Sequence, residues 1–412
     1  MSQTYSINIH RLQADLQNLA KIGFDHETKG VNRIGFSRAD YEGRLWLMKQ
    51  FKALGLEPYM DGAANVICRL GDPDKPAVIM GSHTDSVPDG GMFDGALGVL
   101  CGLEVMRVIK EHSIDLTYPI EVVSFSEEEG RFGGMFGVQS FCGQIDPAWI
   151  TSVQDTNGIY LKDEMQALGL EPLDALKACR APETVKAYLE VHIEQGPVLE
   201  EMNCPIGVVE GITGVFDWSV CLIGEANHSG TTPMDKRRDA FMGLTKFAQQ
   251  IPRIIEDHGS DISRITIGKV DVLPGFTHIV PGEVQFSLCV RDLDEGIMQN
   301  LAQACREVLS SIARQDNLMF EYEEKSWLSP KHCDPEIVKL LGDQAKKLGY
   351  QCNFMPSGAG HDAQFMTDLT KTGMIFVPSI GGISHSPKEL TKWPDIEKGA
   401  NLLLQACLSL AA

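Results

Sequence analysis

Apolar positions along this chain fall into two rhythms. Four short, near-continuous apolar runs read as strands: "ANVICRL" (64–70), "AVIMGSH" (77–83), "IEVVSFSEEE" (120–129) and "AYLEVHIEQG" (187–196). Between the second and third, "GALGVLCGLEVMRVIKEH" has the length and pattern of a helix. Upstream, "SRADYEGRLWLMKQFKALG" sets Tyr41, Leu45, Met48 and Leu54 near helical spacing, between a cap at Ser37 and a stop at Gly55. Strand, helix, strand with apolar residues on both strand faces predicts a mostly parallel sheet, covered on both sides.

After "IGVVEGITG" (206–214) the rhythm changes. The order becomes strand (217–225), helix (about 236–256), strand (264–272), strand (283–292), helix (about 294–315) and strand (318–325). That βαββαβ order is the split βαβ, ferredoxin-like pattern. Then "PEIVKLLGDQAKKLGY", "GMIFVPSIGG" and a C-terminal helix return to the first style. The reading is a discontinuous α/β domain, 1–210 and 328–412, with an α+β ferredoxin-like domain, 211–327, inserted in it. The stretch 143–185 stays mixed.

Composition narrows the function classes. With 412 residues, two domains are the natural expectation. There are 36 basic against 56 acidic residues, a net charge of −20. That argues against nucleic acid, which needs clustered Lys and Arg. No apolar run reaches the length of a membrane span, and "MSQTYSINIHRLQADLQ" lacks the pattern of a secretory signal. Eleven scattered cysteines with no CxxC read as reduced thiols of a cytoplasmic protein.

Candidate chemistry gathers at the strand ends. "GSHTDSVPDGGMFDGALGV" (81–99) places His83 at the end of one strand and Asp94 just before the next helix. A solvated turn is the plain alternative, since Asp and Gly are common turn residues. The next strand closes on Glu127, Glu128 and Glu129, a costly triplet beside a buried strand unless a cation compensates it. His192 and Glu194 close a third strand, and "MIFVPSIGGISHSPKE" brings His385 after a fourth. One such ending is ordinary. Several, at the carboxyl ends where open α/β sheets bind ligands, form a pattern. His, Asp and Glu are ligand types that suit zinc or a similar divalent ion.

These segments, with "SEEEGRF", "VHIEQGPVLE", "HSGTTPMDKRRDA" and "SGAGHDAQFM", resemble the amidase, hydantoinase and carbamoylase family. That group includes N-carbamoyl-L-amino-acid hydrolases, β-ureidopropionases and allantoate amidohydrolases, and is related to aminoacylases and glutamate carboxypeptidases. The resemblance runs in order from about residue 30 to the C-terminus. It implies a metal-dependent hydrolase of the N-carbamoyl (ureido) C–N bond of small carboxylates, with N-carbamoyl-L-amino acids first. Allantoate amidohydrolase or β-ureidopropionase is the alternative. A non-catalytic, metal-dependent binder of small acids is a distant one, disfavoured because Glu128 is present.

By that resemblance two divalent ions are held by His83, Asp94 as the bridge, Glu129, His192 and His385. Zn²⁺ comes first, with Mn²⁺, Co²⁺ or Ni²⁺ as other fits. His83 and Glu129 serve different ions. Glu128 is the general base and Glu127 neither base nor ligand. A cis peptide follows Asp94, and Asp85 orients His83 through its other ring nitrogen. Asp89 is left as a turn residue. His228 is the oxyanion donor and Arg291 holds the substrate carboxylate. Gln195 and the backbone at Gly360 are further substrate contacts. His278 in "GFTHIVPG" stands where the family usually has Asn in contact with substrate. "EEEGRFGG" is one residue shorter than the usual "EEEGSRF", which leaves Arg131 without a role by matching. His361 and Asp362 read as a structural pair. The inserted domain is implied to be lid and dimerisation surface of a homodimer.

Overall fold

The computed structural model describes residues 5–412. They form two compact units: one holds the described residues up to Glu210 with Cys333–Ala412, the other Gly211–His332.

The first unit is built on a sheet. Seven of its nine strands are β1 (Tyr59–Met60), β2 (Val66–Leu70), β3 (Ala77–His83), β4 (Ile120–Phe125), β5 (Val185–Ile193), β6 (Ile206–Ile212, whose last two residues fall in the second unit) and β7 (Thr372–Val377); Lys331–His332 and Cys352–Ser357 pair with β6. The seven lie in the order β1-β2-β4-β3-β5-β7-β6. Four central strands, β4-β3-β5-β7, run parallel. β2 joins β4 antiparallel, and β6 joins β7 antiparallel. Every residue of β3, β4 and β7 is buried, as expected of strands covered on both faces. The helix Ala96–Glu111 packs tightly on this sheet. A Cβ at Gly98 would stand 2.5 Å from the Val191 carbonyl and 2.9 Å from Ser82 Cβ. That closeness brings the helix start to the strand ends.

β4 stops at Phe125, before the Glu triplet, so the three carboxylates lie in a loop. The stretch that resisted reading holds the short helices Pro147–Ser152 and Leu161–Ala167 and a 3₁₀ turn, Pro172–Ala178. With Phe132 and Phe136 they bury a small core of their own around Ile150, Leu161 and Met165. Elements of six or seven residues are too short to show a helical period.

In the second unit, strands Gly214–Ile223, Glu283–Asp292 and Met319–Leu328 pair antiparallel around Gly214–Ile223. Arg264–Thr266 and Val270–Leu273 pair with the two ends of Glu283–Asp292. They occupy one strand position, interrupted near Gly268, where one continuous strand was expected. Helices Ala240–His258 and Glu295–Gln315 pack on this sheet through Phe247, Leu244, Leu301 and Leu309. No helix among the described residues is long and apolar enough to cross a membrane. All eleven cysteines are unpaired.

Candidate metal centre

Four chain segments that leave strand ends converge in the first unit. His83 is the last residue of β3, and His192 lies next to the last of β5. Glu128 and Glu129 follow β4, and His385 follows β7 through the turn Ile380–Gly382. Asp94, on the loop into the helix Ala96–Glu111, sits among them. Its Oδ1 is 3.0 Å from His192 Nε2 and 3.7 Å from His83 Nε2, while its Oδ2 is 3.3 Å from His385 Nε2. His385 Nε2 is also 3.4 Å from Glu129 Oε2, and His83 Nε2 is 3.5 Å from Glu128 Oε2. Two groups of ligand atoms therefore share Asp94: His83–Asp94–His192 and Asp94–Glu129–His385. His83 and Glu128 also cluster with Glu129.

A further cluster, Glu190–His192–His361, lies beneath. Its carboxylate is already engaged, accepting from Ser82 Oγ (2.7 Å), the Ala363 N–H (2.9 Å) and Tyr188 Oη (3.2 Å). That makes it a support for β5 rather than an open ligand set.

The polar partners fix each side chain. His192 Nδ1 faces the Ile193 carbonyl at 2.8 Å, and the Gly95 N–H points at its Nε2 from 3.2 Å. With Nδ1 as donor, the Nε2 lone pair faces the Asp94 carboxylate, which is repulsive unless a proton or a cation lies between. Without a cation the pair uses a proton. Burial opposes it, but Asp94 holds His192 up to about 9. Asp94 in turn lies well below the carboxylate range, against its own burial, through His192 and His385. His83 is pushed down to about 4, mainly by burial. Burial and neighbouring carboxylates push Glu128 and Glu129 well up.

The donor set fits metal ions. Asp85 Oδ1, Glu127 Oε2 and Glu129 Oε1 are buried carboxylate oxygens with no hydrogen-bond partner. Unpaired buried carboxylates cost several kcal/mol each unless neutralised. Imidazole nitrogens and carboxylate oxygens from separate segments are what zinc-like ions take.

One expectation is corrected and another takes a more definite form. The peptide after Asp94 is trans; the sole cis bond among the described residues is Leu273–Pro274. Gly95, at φ +61° and ψ −52°, makes the turn instead. A cis bond without proline costs about 3 kcal/mol, and glycine reaches this turn without one. Asp85 meets His83 through its main chain: its carbonyl faces His83 Nδ1 at 3.1 Å, while its carboxylate is 3.7 Å away. Asp85 Oδ2 instead accepts the Glu129 N–H at 3.1 Å, so the side chain steadies the Glu loop.

Other positions surround the centre. Gln195, at φ +58°, donates through Nε2 to Asp94 Oδ2 at 2.8 Å. Asp89 accepts from Thr28 Oγ1 and Asn32 Nδ2 in a turn at φ +52°. Gly360 precedes His361, whose ring sits edge-on to His192 at 4.5 Å and whose Nε2 contacts Ser357 Oγ at 2.9 Å. Asp362 is fully buried with neither carboxylate oxygen hydrogen-bonded.

Sequence reasoning missed two anchors. Glu389 receives the Phe93 and Asp94 N–H groups, and Arg131 binds Asp155, Glu164 and the Gly35 carbonyl. No local pattern marks either. Their partners lie tens to hundreds of residues away.

In the second unit, His228 and His278 lie on one ribbon. Ile279 pairs with His228, and the Ser229 N–H donates to the His278 carbonyl at 3.0 Å. His228 Nδ1 accepts from the Gly230 and Thr231 N–H groups at 3.0 and 3.2 Å. That assigns the ring proton to Nε2, leaving it a donor. Arg291 lies on strand Glu283–Asp292, opposite Val215 and Arg264.

The chain matches the family model described as Peptidase family M20/M25/M40 over residues 79–409. It belongs to that family. It is 38% identical over 407 residues to an N-carbamoyl-L-amino acid amidohydrolase of Geobacillus stearothermophilus, covering 97% of this chain and 98% of that one. It is 33% identical over 406 residues to an allantoate amidohydrolase of Escherichia coli (strain K12), 97% of each. Among solved structures, an amidase of the hydantoinase/carbamoylase family from Burkholderia multivorans superposes with a TM-score of 0.91 at 34% identity, over 99% of this chain and 98% of that one. M20 family members are metal-dependent, and the shared Asp94 arrangement gives this chain groups able to hold metal.

Proposed function

We propose that this M20 family chain hydrolyses the ureido C–N bond of small N-carbamoyl carboxylates, N-carbamoyl-L-amino acids first, releasing amino acid, ammonia and carbon dioxide. The observation that carries the substrate class is the end-to-end likeness to an N-carbamoyl-L-amino acid amidohydrolase. The geometry carries the chemistry. His83, Asp94 and His192 would hold one ion and Asp94, Glu129 and His385 a second, with Zn²⁺ as the first choice. Bound there, the ions supply Lewis-acid polarisation of the carbonyl and lower the pKa of water.

The chain's own residues do the rest. Glu128, whose Oε2 faces the His83 side of the centre, takes the proton of the attacking water and returns it to the leaving nitrogen. His228 donates its Nε2–H to the oxygen that gains charge. Arg291 pairs with the substrate carboxylate, a task its planar fork suits. Gln195, His278 and the Gly360 backbone complete the substrate contacts, with Asp85 supporting the Glu loop. The second unit acts as lid and dimerisation surface of a cytoplasmic homodimer; a solution mass of one 45.3 kDa chain would contradict the dimer.

Ureide hydrolysis is the second reading. It is favoured by the likeness to allantoate amidohydrolase. Ammonia release from N-carbamoyl-methionine, allantoate and N-carbamoyl-β-alanine, measured side by side, separates the readings. The Glu128→Gln enzyme should keep its metal and lose at least a thousandfold in turnover, near the upper range for a general base. Turnover within tenfold of the unchanged enzyme would remove Glu128 from this role.

A further inference from the structure

Glu389 is almost fully buried and lies four residues past His385. Its Oε1 accepts the Phe93 N–H at 2.9 Å and the Asp94 N–H at 3.1 Å. Its Oε2 is 3.0 Å from Ser384 Oγ. The loop before Asp94 wraps this carboxylate so closely that a Cβ at Gly91 would stand 2.1 Å from Oε1. One side chain thus gathers two segments nearly three hundred residues apart. One segment carries Asp94 and the other His385.

Ser384 sharpens the picture. Its hydroxyl has one proton, yet it lies 3.0 Å from Asp94 Oδ2 as well as 3.0 Å from Glu389 Oε2. Gln195 Nε2 donates to the same Oδ2. Ser384 is therefore a hinge pin between the carboxylate that faces the histidines and the one behind it. A carboxylate accepting two main-chain N–H groups holds a turn more firmly than a neutral acceptor.

We propose that Glu389 is a positioning residue that clamps the Phe93–Asp94 and Ser384–His385 segments together and so sets the affinity of the centre for its ions. It touches no ion itself. It fixes where Asp94 points its two oxygens and how far His385 stands from them. This inference rests on the two-ion reading above. Removing hydrogen-bond partners behind metal ligands typically lowers metal affinity ten- to a hundredfold.

The test uses the whole protein, stripped and then titrated with Zn²⁺ against a chromophoric zinc chelator. Glu389→Ala should weaken Zn²⁺ binding at least tenfold. Glu389→Gln should recover most of that loss, since its amide oxygen can accept both N–H groups while its NH₂ donates to Ser384. Ser384 can then turn its proton to Asp94. Equal losses in the Ala and Gln variants would show that only the charge matters and would overturn the clamp, as would unchanged affinity in Glu389→Ala. Ser384→Ala covers the case in which Glu389→Ala does not fold. It should weaken Zn²⁺ binding severalfold while the urea midpoint of the metal-free protein stays within error; unchanged affinity there also overturns the proposal. If the unaltered protein takes up no Zn²⁺, the two-ion reading itself fails, an outcome distinct from a variant that binds as well as its parent.

Discussion

Gly95 decides where His83 and Asp94 can stand. Its φ of +61° with ψ of −52° is a backbone state that residues with a Cβ rarely adopt. A Cβ there would also lie 2.3 Å from His83 Cε1 and 2.4 Å from both ring nitrogens. Gly95→Ala should cost about 1–3 kcal/mol in backbone strain alone and push the imidazole off its line to Asp94. If the parent binds two ions as proposed, isothermal titration of the variant should find at most one tightly bound; two ions bound at parental affinity would contradict this. At this scale the residues that gather around Asp94 were legible, because strand ends closing on His, Asp or Glu are unusual and the motifs are long. Whether Asp85 acts by its side chain or its carbonyl was not, since that depends on tenths of an ångström. Glu389 was invisible because its partners are 295 and 296 residues away.

Among elements, Arg131 ties the loop of Glu128 and Glu129 to the short helices that follow. Its Nε donates to Asp155 Oδ2 at 3.1 Å, and one terminal nitrogen reaches Glu164 Oε2 at 2.7 Å and the Gly35 carbonyl at 3.2 Å. Glu164 belongs to the helix Leu161–Ala167. Arg131→Met should lower stability by about 1.5–3 kcal/mol, the range for charged hydrogen bonds. A double-mutant cycle with Glu164→Gln, read by urea unfolding, should give a coupling above about 0.5 kcal/mol. A coupling near zero would mean that the contact holds nothing. The parallel strands were legible because burial on both faces leaves continuous apolar runs. The helices of 147–178 were not, because none is longer than seven residues and they are held by a small core and ion pairs.

For the molecule as a whole, the centre concentrates negative charge that folding must bury. Asp85, Asp94, Glu127 and Glu128, part of the chain's formal net charge of −20, are each at most 8% exposed. Ions bound to the folded state alone add stability as RT ln(1 + [L]/Kd), about 4 kcal/mol at a thousandfold excess over Kd. Chelation should therefore lower the thermal midpoint by several degrees, and added Zn²⁺ should restore it in proportion to the logarithm of its concentration. A midpoint indifferent to chelator would count against a resident ion. Overall charge was legible from composition, and its gathering at one end of the sheet from the apolar runs that close on His, Asp or Glu; how deeply each carboxylate is buried was not.

The strand ends that meet at Asp94 are drawn from positions 83 to 385, with the second unit inserted between them. One group, His83–Asp94–His192, lies within the first half of the chain, but the other, Asp94–Glu129–His385, needs a residue near position 385. During synthesis the His83, Asp94 and His192 side chains emerge long before His385. The group that includes His385 can form only after His385 has left the ribosome, so under the two-ion proposal its ion would be captured late in assembly.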